Sequence, residues 1–121
     1  VPELLRASHA KPWAASTDAE RLDVYNGLLL AAHLDAAFDC GLITVEVDGA
    51  ISVSSSLPVE ALNLLHLHAG VRVTLSPRHE PHMAWHRECV FRRLRPLHDQ
   101  WTPRRRACGP RSSGGLDRLS C

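Results

Sequence analysis

The sequence predicts a small α+β domain followed by a disordered C-terminal tail. Its 121 residues, 45% of them hydrophobic, allow one modest domain with a limited core. Residues 42–54 show the alternation of a β-hairpin, and segments with helical patterns flank them. From Arg95 onward Pro, Gly, Ser and Arg dominate without any apolar period, which is typical of disorder. We therefore expect a folded domain over residues 1–93 and a basic tail over residues 94–121.

The first half of the chain predicts the order strand, loop, strand, helix. Residues 3–9 form a short apolar stretch that ends in polar residues, which favours a strand. The Thr-Asp-Ala-Glu segment at 17–20 fits a capping box and predicts one helical turn. The leucines at 28–30 are typical of a buried strand, and residues 31–40 contain good helix formers before a stop at Gly41.

The second half predicts a hairpin, a helix, a strand and a last helix. Within residues 42–54 the Asp48-Gly49 pair predicts a tight hairpin turn. Residues 58–67 have Pro at the start and leucines on one face, which favours a helix. Residues 71–75 alternate as a strand, and Ser76-Pro77 predicts the start of a helix that runs to about Arg93.

The formal net charge of +1 conceals an uneven distribution of charge. Residues 1–86 carry five basic and ten acidic side chains, whereas residues 87–121 carry nine and three. The sequence thus combines an acidic body with a basic tail, and Arg87, Arg92 and Arg93 lie where the basic part begins. Arginines in this position favour contacts with the phosphates of a nucleic acid, although a solvated helix end has the same composition.

Other features concern the location and the extent of the protein. The longest apolar run is far shorter than the roughly 20 residues that span a membrane, so we expect a cytoplasmic protein without a membrane partner. The four cysteines form no Cys-x-x-Cys pair, and we expect free thiols. The chain begins with Val1 and enters an apolar stretch almost at once, which predicts a missing upstream part.

Residues 7–42 contain the side chains that point to chemistry. His9 ends the first predicted strand, Asn26 lies in the following loop, and the predicted helix carries His33, Asp35 and Asp39. The two aspartates are four residues apart, so both carboxylates project from one helix face and can share a cation. His33 lies about 200° around an ideal helix from Asp35, so it joins that site only if the helix begins later or is distorted.

This arrangement resembles the HNH endonuclease family, which has a ββα-metal fold. The segments that carry the resemblance are 7–13, Ala-Ser-His-Ala-Lys-Pro-Trp, and 26–42, which begins Asn-Gly-Leu-Leu-Leu. A weaker likeness to restriction-type members extends to Ser76-Pro-Arg-His and to residues 85–92. Two departures are Ser8, where many members have an acidic or histidine ligand, and the spacing of His33 from Asp35.

The resemblance implies a DNA endonuclease in which His9 is the general base and Asn26 orients it or holds the loop. It places the metal ligands among His33, Asp35 and Asp39. Carboxylate ligands favour Mg²⁺ first and then Mn²⁺, whereas a role for His33 would admit Ni²⁺ or Zn²⁺. Lys11 is a further candidate for a DNA phosphate contact, and Trp13 is expected to pack against the loop.

Three other interpretations of the sequence compete with this one. The first is a DNA-binding remnant that keeps the HNH fold without catalysis. The second is a metal-storage protein, because the chain holds eight histidines. The third is a separate metal site at His82 and His86, four residues apart, but the Glu of a His-Glu-x-x-His motif is absent, and we expect these histidines to be surface or helix-packing residues instead.

Overall fold

The computed structural model describes residues 2–68 and 70–93. It confirms the α+β fold: the described part contains two small antiparallel sheets and four α-helices. The elements are β1 Leu5–His9, α1 Asp18–Leu22, β2 Gly27–Ala31, α2 Ala32–Asp39, β3 Ile43–Val45, β4 Ile51–Val53, α3 Val59–Leu64 and α4 Glu80–Cys89. The predicted tail, residues 94–121, lies outside the described residues.

The first sheet pairs β1 with β2 and carries α2 on one face. The register runs from Leu5 opposite Ala31 to His9 opposite Gly27. Directly after β2 the chain enters α2, whose Phe38 is fully buried against the inward leucines Leu28 and Leu30. Two strands followed by a helix packed on them are the ββα arrangement that the resemblance implied.

A long loop joins β1 to β2 and has its own local order. Thr17 caps α1 by accepting a hydrogen bond from the backbone N–H of Glu20, and the Glu20 carboxylate accepts from the backbone N–H of Thr17. This confirms the predicted capping box. The loop returns through a 3-10 turn over Val24–Asn26, and Ala10 donates to the carbonyl of Asn26 at 2.9 Å. The end of β1 and the start of β2 are therefore closed by backbone hydrogen bonds.

The second sheet is the predicted hairpin, with shorter strands than expected. Ile43 pairs with Val53 and Val45 with Ile51. The turn contains Gly49, whose φ of +84° lies in the left-handed region that glycine adopts without a Cβ penalty. Helix α4 packs against strand β3 of this hairpin, and Met83 of α4 is fully buried.

Three sequence predictions about the second half need correction. Residues 71–75 do not form a strand, because within the described part of the chain their pairing is limited to one bridge, between Ala50 and Arg72. Helix α3 ends at Leu64, since His66 takes a left-handed backbone conformation with φ of +54°. Helix α4 ends at Cys89, because the chain then turns so that Arg92 donates its N–H to the carbonyl of Gly41 at 2.9 Å.

Both cysteines in the described part, Cys40 and Cys89, are disulfide-bonded, so the expectation of free thiols was wrong for them. Within residues 2–68 and 70–93, no helix has the length and apolar character needed to cross a bilayer.

Candidate active site

The end of β1 and the exposed side of α2 enclose a cavity of about 370 Å³. His9 and Ser8 line it from β1, and Asp35 and Asp39 line it from α2. Trp13, from the loop after β1, forms another part of its wall. The structure therefore brings together three of the predicted site residues, His9, Asp35 and Asp39.

His9 is held at the last position of β1, opposite Gly27. Its imidazole is half-buried and stands edge-on to the Trp13 indole, with ring centres 5.9 Å apart and planes at 86°. This contact restricts the imidazole of His9 on one side, and His9 still lines the cavity. A strand end positions a side chain more precisely than a free loop does, which suits a group that must meet a reacting atom.

Asp35 and Asp39 lie one turn apart on α2 and face the same cavity, as their spacing predicted. Partial desolvation raises the pKa of Asp39, and the negative charge of Asp35 raises it further, although the side chain keeps contact with solvent. A hydrogen bond from Ser8 and the proximity of His9 act in the opposite direction. Two carboxylates that repel each other in this way form a place where a cation is favourable.

Ser8 supports Asp39, a role that the sequence did not reveal. Its side chain is only 2% exposed, and its hydroxyl donates a long hydrogen bond of 3.4 Å to Oδ1 of Asp39. The serine at this position is one of the departures from the family pattern. Instead of supplying a strong ligand, it orients a carboxylate on the helix.

Asn26 is fully buried and ties the loop to the sheet. Its Oδ1 accepts from the backbone N–H of Lys11 at 2.8 Å. Its Nδ2 donates to the carbonyls of Glu20 at 3.1 Å and Lys11 at 3.3 Å, and reaches the Ser16 hydroxyl at 3.4 Å. These bonds support loop shape as the function of Asn26, one of the two roles that the resemblance implied.

His33 is exposed at the start of α2 and does not line the cavity. The helix runs without interruption from Ala32 to Asp39, so His33 keeps the angular offset from Asp35 that an ideal helix imposes. The arrangement gives Asp35 and Asp39 a common cavity and leaves His33 outside it.

The predicted DNA contacts differ in their surroundings. Lys11 pairs with both carboxylate oxygens of Glu20 at 2.9 Å, so its charge is already compensated. Arg87 pairs with Glu80 and donates to the carbonyl of Val45 at 2.9 Å, which ties α4 to β3. The predicted contacts at Arg92 and Arg93 lie on exposed positions beyond α4.

His82 and His86 pack α4 against the rest of the domain, as one interpretation of the sequence predicted. His82 pairs with Asp23 at 2.9 Å, and this contact lowers the pKa of Asp23. His86 stacks on Phe38 with ring centres 3.7 Å apart, and burial lowers the pKa of His86 to about 4. Its Nε2 donates to the carbonyl of Phe38 at 2.9 Å, and its Nδ1 accepts from the hydroxyl of Thr44 at 2.8 Å.

The donor set can be tested against the requirements of a divalent cation. Among the described residues, no group of three or more His, Cys, Asp or Glu side chains is arranged to hold a metal ion. Zinc sites use three or four protein ligands, so these residues do not fit a zinc centre. Mg²⁺ binds through one or two carboxylates and keeps water or substrate phosphate oxygens in its other positions, which Asp35 and Asp39 fit.

Residues 1–46 match the family model described as HNH endonuclease. This stretch contains the whole first sheet, β1 and β2, together with helix α2. The match confirms the resemblance to the HNH endonuclease family over these 46 residues. No curated protein matches the chain.

Proposed function

We propose that this protein is a metal-dependent DNA endonuclease in which His9, Asp35 and Asp39 serve one reaction. The observation that supports this most is the single cavity that these three side chains line. The family match adds that the segment is of nuclease type. Two carboxylates beside a histidine provide a cation site and a proton acceptor, which are the groups that phosphodiester hydrolysis requires.

His9 acts as the general base in this proposal. A histidine near neutral pH can accept the proton of the attacking water. As the new bond from that oxygen to phosphorus forms, the bond from phosphorus to the 3′ oxygen breaks, and the proton passes to His9. Trp13 restrains the imidazole through the edge-on contact, and Asn26 holds the loop that carries Trp13.

Asp35 and Asp39 are the side chains that would hold the cation, with Ser8 orienting Asp39. A divalent ion supplies positive charge for the phosphate and its departing oxygen. Their oxygen ligands favour Mg²⁺ first and Mn²⁺ next, while Ni²⁺ and Zn²⁺ suit histidine-containing sites better. We retain His33 as a ligand candidate only if another conformation of α2 brings it to the cavity.

We further propose that the domain is the catalytic part of a restriction-type enzyme. The acidic body attracts a polyanion poorly, so the exposed Arg92 and Arg93 supply part of the attraction to DNA. Contacts of this kind do not read sequence, which leaves recognition to another part of the protein.

A plasmid-cleavage assay with Mg²⁺, Mn²⁺ or Ni²⁺ tests the proposal. The wild type should nick or linearise the plasmid, and His9→Ala should lose at least about a hundredfold in rate, as removal of a general base does. His68→Ala is the matched control, because His68 is exposed and lines a different depression, beside β4. Equal cleavage by wild type and His9→Ala would remove His9 from the mechanism. A wild type that binds DNA without cutting it under any of these metals would favour the non-catalytic remnant.

A further inference from the structure

Trp13 is placed at the surface in a way that the packing of the domain does not explain. The residue is 57% exposed, although tryptophan is the largest apolar side chain and the core of this chain is poor in aromatic residues. The sequence predicted that it packs against the loop. The indole does meet that loop through Arg21, and it also stands in the wall of the cavity that His9, Asp35 and Asp39 line.

The backbone around Trp13 is firmly held. Residues Trp13–Ala15 form a 3-10 turn in which Ala15 donates to the carbonyl of Pro12 at 2.9 Å. Ser16 donates from its hydroxyl to the same carbonyl at 2.9 Å, and Arg21 donates from Nε to the carbonyl of Trp13 at 3.0 Å. The exposed position of the indole is therefore imposed by the backbone and is not a result of a loose loop.

Arg21 gives the indole a further property. Its guanidinium lies over the Trp13 ring, 4.9 Å from the ring centre, in a cation–π contact. Arg21 also pairs with Asp18, but the Asp18 side chain is 95% exposed, so this pair is weak. The result is an aromatic surface backed by a positive charge, directly beside the proposed base.

We infer that Trp13 is a stacking platform for a nucleobase next to the scissile phosphate, and that the preferred substrate has that base unpaired. Aromatic side chains bind single-stranded nucleic acids by stacking, and this contact tolerates any base because every base has a π-face. A base inside an intact duplex has both faces covered by its neighbours. The inference rests on the proposed function, because it identifies the cavity as the place where a phosphodiester lies.

The choice of substrate follows from this geometry. A platform in the cavity wall favours single-stranded DNA, or a duplex opened locally, over an intact duplex of the same sequence. Trp13 therefore acts in substrate positioning, because it touches the substrate and not the attacking water.

Equilibrium binding to a fluorescein-labelled oligonucleotide tests the inference, measured by anisotropy in EDTA so that no cleavage occurs. Trp13→Leu keeps an apolar side chain without the ring and should weaken binding of the single strand about fivefold or more. Trp13→Phe should retain most of the affinity. Leu22→Ala is the matched control, since Leu22 is 81% exposed on α1 and does not line the cavity.

Two further measurements make the outcome specific. An oligonucleotide of abasic sites should bind wild type and Trp13→Leu equally, because it offers no base to stack. The thermal midpoint of Trp13→Leu should stay close to wild type, since the loop is held by backbone and Ser16 hydrogen bonds that the substitution leaves in place.

Equal binding of the single strand by wild type and Trp13→Leu would overturn the inference, as would a loss of the same size on the abasic strand. Plasmid cleavage by the wild type decides the proposed function separately. Plasmid cleavage by the wild type, together with equal single-strand binding by wild type and Trp13→Leu, would support the nuclease function and contradict the stacking role of Trp13. Neither cleavage nor binding by the wild type would overturn both.

Discussion

His86 links the acid sensitivity of this fold to the helix that carries the proposed metal ligands. The side chain is 1% exposed, stacks on Phe38 and donates a hydrogen bond to the carbonyl of the same residue. Phe38 directly precedes Asp39 at the end of α2. The hydroxyl of Thr44 can donate to Nδ1 only while that nitrogen is unprotonated, so the packing requires a neutral ring. Protonation of His86 would therefore disturb the contact between α4 and α2.

The size of the stability loss in acid follows from the pKa of His86. An unfolded histidine titrates near pH 6.5, whereas burial lowers the pKa of folded His86 to about 4. Between these values the unfolded state binds more protons than the folded state, so the free energy of unfolding falls as the pH falls. The contribution of His86 is fully present above about pH 6.5. At pH 5 it has lost about 2 kcal/mol.

Urea unfolding at pH 7.5 and at pH 5.0 measures this loss. The Gln side chain of His86→Gln cannot titrate but can still donate to the carbonyl of Phe38. From pH 7.5 to pH 5.0, the free energy of unfolding of this variant should therefore fall by about 2 kcal/mol less than that of the wild type. The comparison cancels other acid-sensitive groups, such as Glu20 and Asp23, whose lowered pKa values move their effect to more acid pH. Imidazole NMR signals of wild-type His86 should not titrate above about pH 5. Equal pH dependence in both proteins, or an NMR midpoint near 6.5, would refute the reasoning.

Two substitutions test the local structure around the site by chemical denaturation. Asn26→Ala should lower the free energy of unfolding by about 2–4 kcal/mol, because it leaves buried backbone partners of the loop unsatisfied. Asn63→Ala, at an exposed position, should change it little. Equal effects of the two substitutions would contradict the role of Asn26 in holding the loop. Gly41→Ala should destabilise the fold more than Gly70→Ala. Both glycines have a positive φ, but a Cβ at Gly41 would lie 2.1 Å from the carbonyl oxygen of Val90, whereas a Cβ at Gly70 would face open space. Similar losses at the two glycines would show that the close approach to Val90 is relieved without cost.

Local patterns predicted much of the fold, and long-range packing explains the failures. The capping box at residues 17–20 and the Asp48-Gly49 turn depend on neighbours in sequence, and both formed as expected. Residues 71–75 alternate like a strand, yet Val73 and Leu75 satisfy that pattern by packing on the core without a continuous partner strand. The early end of α4 depends on a hydrogen bond from Arg92 to Gly41, which no local pattern reveals.

The candidate site shows the same division. Helical spacing alone placed Asp35 and Asp39 on a common face and His33 away from it, which is how α2 presents them. The hydrogen bond from Ser8 to Asp39 joins residues 31 positions apart, and no spacing rule predicts it. The ion pair of Lys11 with Glu20 is equally invisible in the sequence. Charge alone suggested a phosphate contact for Lys11, whereas its surroundings show that a phosphate must compete with a carboxylate.

The most direct test of the account is the proximity of a bound cation to His9. With histidine ring NMR, substoichiometric Mn²⁺ should broaden the signals of His9 strongly and leave those of exposed His68 sharp. The double variant Asp35→Asn, Asp39→Asn should abolish the broadening of His9, because it removes the carboxylate ligands. Broadening of His9 that persists in the double variant, or a wild type in which His9 stays sharp, would contradict a cation held by Asp35 and Asp39 beside the proposed base.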